Sequence, residues 1–309
     1  MANKVTVIGS FAVGMTLRTA RMPIFGETLI GSDFDMGPGG KGSNQAVATA
    51  RLGAQSSFVS IIGNDKLGEI GTDLYRQEGI DTRHVRITDE MATGVGFIIV
   101  NPTGGNGIIL DMGANMLMDA RYVDTAEATI RESDIVMSVL EVPPAAAVRA
   151  MELGSRHKVR TLLNPAPATK LDPAAFQHID YLTPNETELR ILLGLTPDDA
   201  TPTLTLAQHL KTQGVKTIIV TQGAHGCIVI SGEDVTEVPG LEIDVVDTTG
   251  AGDAFSSGLA VALIEGRALL DAVRFATCCG ALACTKLGVI PSLARRPEAD
   301  ALYRQRYGA

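Results

Sequence analysis

Short runs of consecutive apolar residues recur along the chain, at 4–9 (KVTVIG), 57–62 (SFVSII), 134–140 (DIVMSVL), 159–164 (VRTLLN), 179–183 (IDYLT) and 216–221 (KTIIVT). Runs of this length predict strands buried on both faces. Between them, apolar positions return at spacings of three and four over 43–52, 66–78, 120–131, 144–157, 186–193 and 204–213. That period predicts helices with one apolar face. Strand and helix alternating this often predict a doubly wound α/β fold, a mostly parallel sheet flanked by helices on both sides.

Two stretches break the rhythm. Residues ~10–36 and ~92–110 carry alternating patterns such as GVGFIIV, with turn residues at 101–106 and no helical period, which predicts a small β-sheet built from two separated pieces. With no Ser/Gly-rich or Pro-rich linker and no internal repeat, the expectation is one domain over 1–309 with this sheet as a lid. The last third reads as two consecutive helices rich in Ala, Gly and Cys, 252–264 and 268–287, and a terminal helix, 297–306.

Composition narrows the class. Among 309 residues, 45% are hydrophobic and 20% charged, a balance that supports a full core and argues against disorder. With 26 Lys+Arg against 35 Asp+Glu the net charge is −9, so there is no general field to attract a phosphate backbone and no nucleic-acid partner is expected. Cys227, Cys278, Cys279 and Cys284 form no C-x-x-C pair, as suits reduced core thiols. The first ten residues run into a strand without the ordered regions of a secretory signal, and apolar runs fall short of the ~18 residues of a membrane span. The expectation is a soluble, cytoplasmic protein with no membrane partner. The five histidines lack metal-ligand spacing and no G-x-S-x-G elbow is present, so neither zinc nor hydrolase chemistry is indicated.

Two glycine clusters are the candidates for chemistry. Gly37-Pro38-Gly39-Gly40-Lys41-Gly42-Ser43-Asn44-Gln45 leads into the first helix, where unsatisfied N–H groups bind an anion or hydroxyl and Lys41 and Asn44 add donors. It matches G-x-G-x-x-G with Asp65 downstream, so a dinucleotide reading stands beside a plain helix-capping turn; the fingerprint, however, belongs after the first strand, which ends at Gly9. The second cluster is Asp247-Thr248-Thr249-Gly250-Ala251-Gly252-Asp253. Asp253 could merely complement the helix dipole. Yet three successive small residues expose backbone N–H groups as a nest for developing negative charge, with a carboxylate beside it, which phosphoryl or acyl transfer requires.

GGKGSNQAVATARLGA near the front and DTTGAGDAF near the back resemble the two motifs of the ribokinase family of carbohydrate and nucleoside kinases. Asn164-Pro165-Ala166-Pro167-Ala168, Thr183-Pro184-Asn185-Glu186-Thr187-Glu188 and Thr221-Gln222-Gly223-Ala224-His225-Gly226 resemble its internal segments, and the likeness covers roughly 4–306. The resemblance implies an ATP-dependent kinase acting on a primary hydroxyl of a sugar, with Asp253 as general base and Gly250, Ala251 and Gly252 as anion hole. It implies that Gly40, Lys41, Asn44, Glu141 and Asp253 hold the sugar, and that Asn185, Thr221, Gly223, Gly226, Gly252 and Thr277 line ATP. Glu188 falls in the family's Mg²⁺ region, although it could be a solvated first-turn acid, and Lys41 could be a solvent-facing loop lysine. Asp247 and Thr249, with Ala283, Lys286, Gly288 and Ser292 opposite, match an activating K⁺ site. A homodimer through the lid is expected, because a monomer would leave one apolar lid face open.

One departure bears on substrate. The family follows its first strand with Gly-Ser-x-Asn-x-Asp, which grips ribose; here Ala12 and Gly14 occupy those two positions. Arg18, on the same strand face, and Asp111 are candidate replacements. Ribose is therefore not expected to be the best acceptor, and a nucleoside kinase, or a catalytically idle sensor of sugar or nucleotide, are the alternative readings.

Overall fold

The computed structural model describes residues 3–102 and 105–308. Among these, the strands in chain order are β1 (Lys4–Ile8), β2 (Ala12–Arg18), β3 (Ser32–Gly39), β4 (Gln55–Gly63), β5 (Asp81–Thr88), β6 (Gly94–Val100), β7 (Asn106–Asp111), β8 (Ile135–Val139), β9 (Arg160–Asn164), β10 (Tyr181–Leu182), β11 (Thr217–Thr221), β12 (Gly226–Ser231) and β13 (Asp234–Pro239). Nine form one sheet in the order β13-β12-β11-β10-β9-β8-β1-β4-β5. It is parallel from β5 to β11 and antiparallel at β12 and β13. The predicted doubly wound, mostly parallel sheet flanked by helices is therefore the fold.

The central strands are buried along their length because both faces are covered. On β1, Val5 and Val7 enter one apolar core while Ile8 enters the other; on β8, Ile135 and Met137 split from Val136 in the same way. Helices Lys41–Arg51, Lys66–Glu78, Ala251–Ile264, Leu269–Ala283 and Arg296–Tyr307 cover the first face. Pro144–Arg156, Glu186–Leu192 and Thr203–Thr212 cover the second.

From β1 the chain runs outward to β4 and β5, then returns to the other side of β1 at β8. This reversal opens a crevice at the carboxyl ends of β1 and β8, the usual place for a ligand in such sheets. The small sheet, β3-β2-β6-β7, is entered from the ends of β1 and β5 and so stands over that crevice. Its strands lie close to the two stretches predicted to form it, although β3 reaches Gly39.

Several boundaries differ from the periodic reading. The single helix expected over 120–131 is two, Ala120–Asp124 and Glu127–Arg131, because Thr125 and Ala126 donate three residues back, to Tyr122 and Val123, and tighten the turn. The helix expected over 268–287 stops at Ala283. There the carbonyl of Cys284 is taken by the N–H groups of Val246 (2.8 Å) and Asp247 (3.3 Å), which draws the chain toward the second glycine cluster. β5 escaped prediction because its residues DTRHVRIT mix charge with apolar positions at a sheet edge. The hairpin β12–β13, closed by the two residues between Ser231 and Asp234, was also unread.

Candidate active site

The second glycine cluster starts helix Ala251–Ile264. Gly250 takes φ 84°, and an added Cβ would lie 2.5 Å from Val289 Cγ1, so both conformation and space demand glycine. The nest is narrower than expected, because the Ala251 N–H donates to the Thr248 carbonyl at 3.3 Å. Among the described residues, the N–H groups of Gly252 and Asp253 have no protein acceptor. A Cβ at Gly252 would meet nothing within 4 Å, so the helix start is open on its side-chain side.

Asp253, only 3% exposed, is held from the first glycine cluster. Helix Lys41–Arg51 presents Asn44 Nδ2, 2.9 Å from Asp253 Oδ2, and Gln45 Nε2, 3.1 Å from Asp253 Oδ1. Gln45 Nε2 also lies 3.1 Å from Asn164 Oδ1 at the end of β9, and Asn164 Nδ2 donates to the Thr183 carbonyl at 3.1 Å. The amide oxygens of Asn44 and Gln45 are buried without a protein partner, a deficit that native interiors normally avoid.

Lys41 stands at the start of the same helix. The Asp253 charge, against the opposing effect of burial and with help from Glu141 and Glu188, holds its ammonium above the usual lysine range. Glu141, just beyond β8, accepts from Ser10 Oγ (2.6 Å) and the Lys41 N–H (2.7 Å). Burial pushes its carboxyl above the ordinary range, opposed by Lys41 and these hydrogen bonds. Gly40 precedes Lys41, and an added Cβ there would sit 2.7 Å from the Ala12 nitrogen, so the base of the lid abuts the cluster. The structure thus brings Gly40, Lys41, Asn44, Glu141 and Asp253 together.

A second group lies along the same sheet end. Asn185 caps helix Glu186–Leu192 by accepting from the Glu188 N–H at 2.8 Å, and Glu188 Oε2 accepts from the Asn185 N–H at 2.8 Å. Burial raises the Glu188 carboxyl against this bond and the Lys41 charge, and the side chain is half-buried. Asn185 bridges to Thr221 at the end of β11. Gly223 and Gly226 shape the turn from β11 into β12, closed by the Gln222 N–H on the Gly226 carbonyl at 2.8 Å. Thr277, on Leu269–Ala283, gives its hydroxyl to the Val273 carbonyl at 2.9 Å.

Around the nest, Asp247 Oδ1 accepts from Thr249 N (2.9 Å) and Oγ1 (2.7 Å), and Asp247 Oδ2 accepts from Gly288 N at 3.2 Å. Asp247, Thr249 and Gly288 are therefore joined directly. Ala283 ends its helix on the same side, while Lys286 Nζ pairs with Glu298 at 3.2 Å and Ser292 Oγ donates to the Val289 carbonyl at 2.8 Å. Any contribution of Lys286 to a cation there falls to its backbone.

Three side chains at the site had no assigned role in the sequence reading: Ser10, Gln45 and Asn164. Gln45 and Asn164 sit inside the motifs, but only their hydrogen bonds across the fold single them out. Of the two candidate replacements in the lid, Asp111 accepts from the Gly113 N–H at 3.0 Å. Arg18 lies exposed at the outer end of β2, opposite Ser32 and Val100.

A buried carboxylate beside a free helix N-terminus, in the switch-point crevice of a doubly wound sheet and next to a small second sheet, describes a phosphotransferase acting on a small hydroxyl compound. The pfkB family carbohydrate kinase pattern matches residues 2–296, and the chain belongs to that family: it is a ribokinase-like, ATP-dependent sugar kinase. It is 36% identical over 298 residues to the ribokinase of Haemophilus influenzae, covering 96% of this chain and 97% of that one. It is also 36% identical over 252 residues to the deoxyribokinase of Salmonella typhi, covering 81% and 82%. The structure of Arabidopsis thaliana ribokinase complexed with ribose and ATP superposes with a TM-score of 0.91 at 29% identity, covering 98% of this chain and 99% of that one.

Proposed function

We propose that this chain transfers the γ-phosphoryl group of ATP to a primary hydroxyl of a sugar or sugar-like alcohol, within one domain over 1–309 closed by the β-sheet lid. The observation that carries the reading is Asp253, buried at the free N-terminus of helix Ala251–Ile264 and oriented by Asn44 and Gln45. Asp253 accepts the hydroxyl proton as the hydroxyl oxygen bonds to the γ-phosphorus, while the bond from that phosphorus to the departing ADP oxygen breaks. The free amides of Gly252 and Asp253, at the turn that Gly250 shapes, face the charge that spreads over the transferring group, while the Ala251 N–H stays on the Thr248 carbonyl.

Gly40, Lys41, Asn44 and Glu141 hold the sugar, and the unpartnered amide oxygens of Asn44 and Gln45 are suited to accept from its hydroxyls. Asn185, Thr221, Gly223, Gly226, Gly252 and Thr277 line ATP. The oxygen donors of Asn185 and Glu188 suit Mg²⁺ carried with the nucleotide, which would neutralise phosphate charge. The carboxylate of Asp247, with Thr249 and the carbonyls of Ala283, Lys286, Gly288 and Ser292, is an all-oxygen set suited to K⁺, which would order the anion hole. The lid pairs two copies as a homodimer, and the enzyme works in the cytoplasm.

An assay of ADP release over a panel of pentoses, hexoses, sugar acids and nucleosides tests the reading. Acceptor-dependent ADP is expected; none with any acceptor would overturn it.

A further inference from the structure

Helix Lys41–Arg51 reaches the site from both of its ends. Near its start, Asn44 and Gln45 orient Asp253. Its last residue, Arg51, pairs with Glu78 at the end of helix Lys66–Glu78, and the two side chains are only 11% and 10% exposed. Arg51 Nε and Nη2 donate to Glu78 Oε1 at 3.0 and 2.6 Å. Its third nitrogen, Nη1, donates to the backbone carbonyls of Ile290 (2.6 Å) and Leu293 (3.0 Å), 239 and 242 positions further along the chain.

Those carbonyls belong to the single helical turn Val289–Ser292 and the residue that ends it. The last carbonyls of a helix have no donor within it, and one turn has little stability of its own. Arg51 supplies the missing donors. On its other side this turn meets the second glycine cluster. The Gly288 N–H donates to Asp247 Oδ2 at 3.2 Å, and Val289 Cγ1 would lie 2.5 Å from a Cβ at Gly250. Gly250 in turn leads into the free N–H groups of Gly252 and Asp253.

We infer that Arg51 is a positioning residue for phosphoryl transfer: acting through residues 288–293, it fixes the turn at Gly250 relative to the Asp253 carboxylate, which the same helix orients from its other end. The inference rests on the kinase reading and adds to it a residue that need not touch substrate. A guanidinium suits the task, because its planar fork serves a carboxylate on one edge and carbonyls on another, and a single ammonium cannot. Loosening the turn misplaces donors that act on the charge of the transition state, so turnover suffers while the bound nucleotide does not.

The test measures kcat by ADP release with the best acceptor of the panel, ADP affinity by calorimetry, and melting temperature. Arg51→Lys keeps a cation for Glu78 and loses the fork. Its kcat is expected to fall at least about tenfold, the scale of a small misplacement at the reacting centre, with ADP affinity within about twofold of wild type. Ser56→Ala is the control: it removes the buried bond from Thr49 Oγ1 of the same helix to Ser56 Oγ (3.1 Å) without touching 288–293, and should lower the melting temperature while keeping kcat. Undiminished kcat in Arg51→Lys, an equal loss of kcat in Ser56→Ala, or ADP affinity falling in step with kcat would each overturn the inference and leave the kinase reading standing. No turnover by the wild type with any acceptor would overturn both. Should Arg51→Lys fail to fold, Arg51→Met combined with Glu78→Met takes its place with the same outcomes, since it removes both buried charges together and leaves Arg295, 3.6 Å from Glu78 and 63% exposed, in water.

Discussion

Asn44 Nδ2 donates to Asp253 Oδ2 over 2.9 Å, although 209 positions separate the two residues in the chain. This bond and its neighbour from Gln45 clamp the helix that begins the first glycine cluster to the helix that begins the second. The clamp fixes the carboxylate beside the free N–H groups at the start of helix Ala251–Ile264.

Asp253→Asn should reduce turnover by about 10²–10⁴-fold, the usual scale for losing a general base. ATP binding, followed by calorimetry, should survive. A variant that keeps more than about a tenth of wild-type turnover would remove the base assignment.

Gln45→Leu should weaken both fold and reaction. It strips a donor from Asp253 Oδ1 and from Asn164 Oδ1 in the interior, and an orphaned buried acceptor costs about 1–3 kcal/mol. Urea denaturation should register that loss, and kcat should fall at least about tenfold because the carboxylate is no longer held. Unchanged kcat with lowered stability would make Gln45 purely structural.

Glu141 gives stability a pH dependence of defined sign. Burial holds its folded-state carboxyl above the ordinary 4.5, so between the two values the folded chain binds more protons than the unfolded one. This contribution to stability is present below 4.5 and is lost as pH rises through the folded-state value. In Glu141→Gln the amide oxygen can still accept from Ser10 and the Lys41 N–H. Melting temperatures should therefore fall more steeply for wild type than for the variant as pH rises from 4.5 toward neutrality; parallel curves would contradict the burial account.

Potassium should raise turnover above that in sodium or Tris alone, and Asp247→Ala should remove the difference. Besides any cation, Asp247 holds Thr249 and Gly288, so the variant's ATP affinity should be measured alongside. Equal rates in all three buffers for the wild type would count against a cation there.

The lid should pair with a second copy. The row Met36, Met15, Phe97 and Ile109 crosses all four lid strands on one face, and Met36, Phe97 and Ile109 are 44%, 49% and 64% exposed. Light scattering at micromolar concentration should give a dimer, and Phe97→Glu with Ile109→Glu should give a monomer. A monomeric wild type would overturn this.

Much of the scaffold was legible in the chain itself. Apolar runs alternating with helical periods determined a mostly parallel sheet between helices, because strand burial and helix amphipathicity are local patterns. The second glycine cluster was legible for the same reason, since N–H groups freed at a helix start are a property of a few neighbouring residues; at the first cluster the expected free N–H groups of Lys41, Gly42 and Ser43 are taken by Glu141 and Ser10, and Asn185 and Glu188 were reached only through the family resemblance.

What the tertiary structure alone decided depends on contacts between distant segments. Period could not show that 120–131 breaks into two helices or that 268–287 stops at Ala283, since the latter end is set by Val246 and Asp247 taking the Cys284 carbonyl. Nor could it show that Gln45 bridges Asp253 and Asn164, or that Ala251 turns its N–H away from the nest. The small sheet is the plainest case. Gly14, Gly37 and Gly96 share one row across three strands only when strand register aligns them, because register is settled by pairing between strands and by the core beneath them.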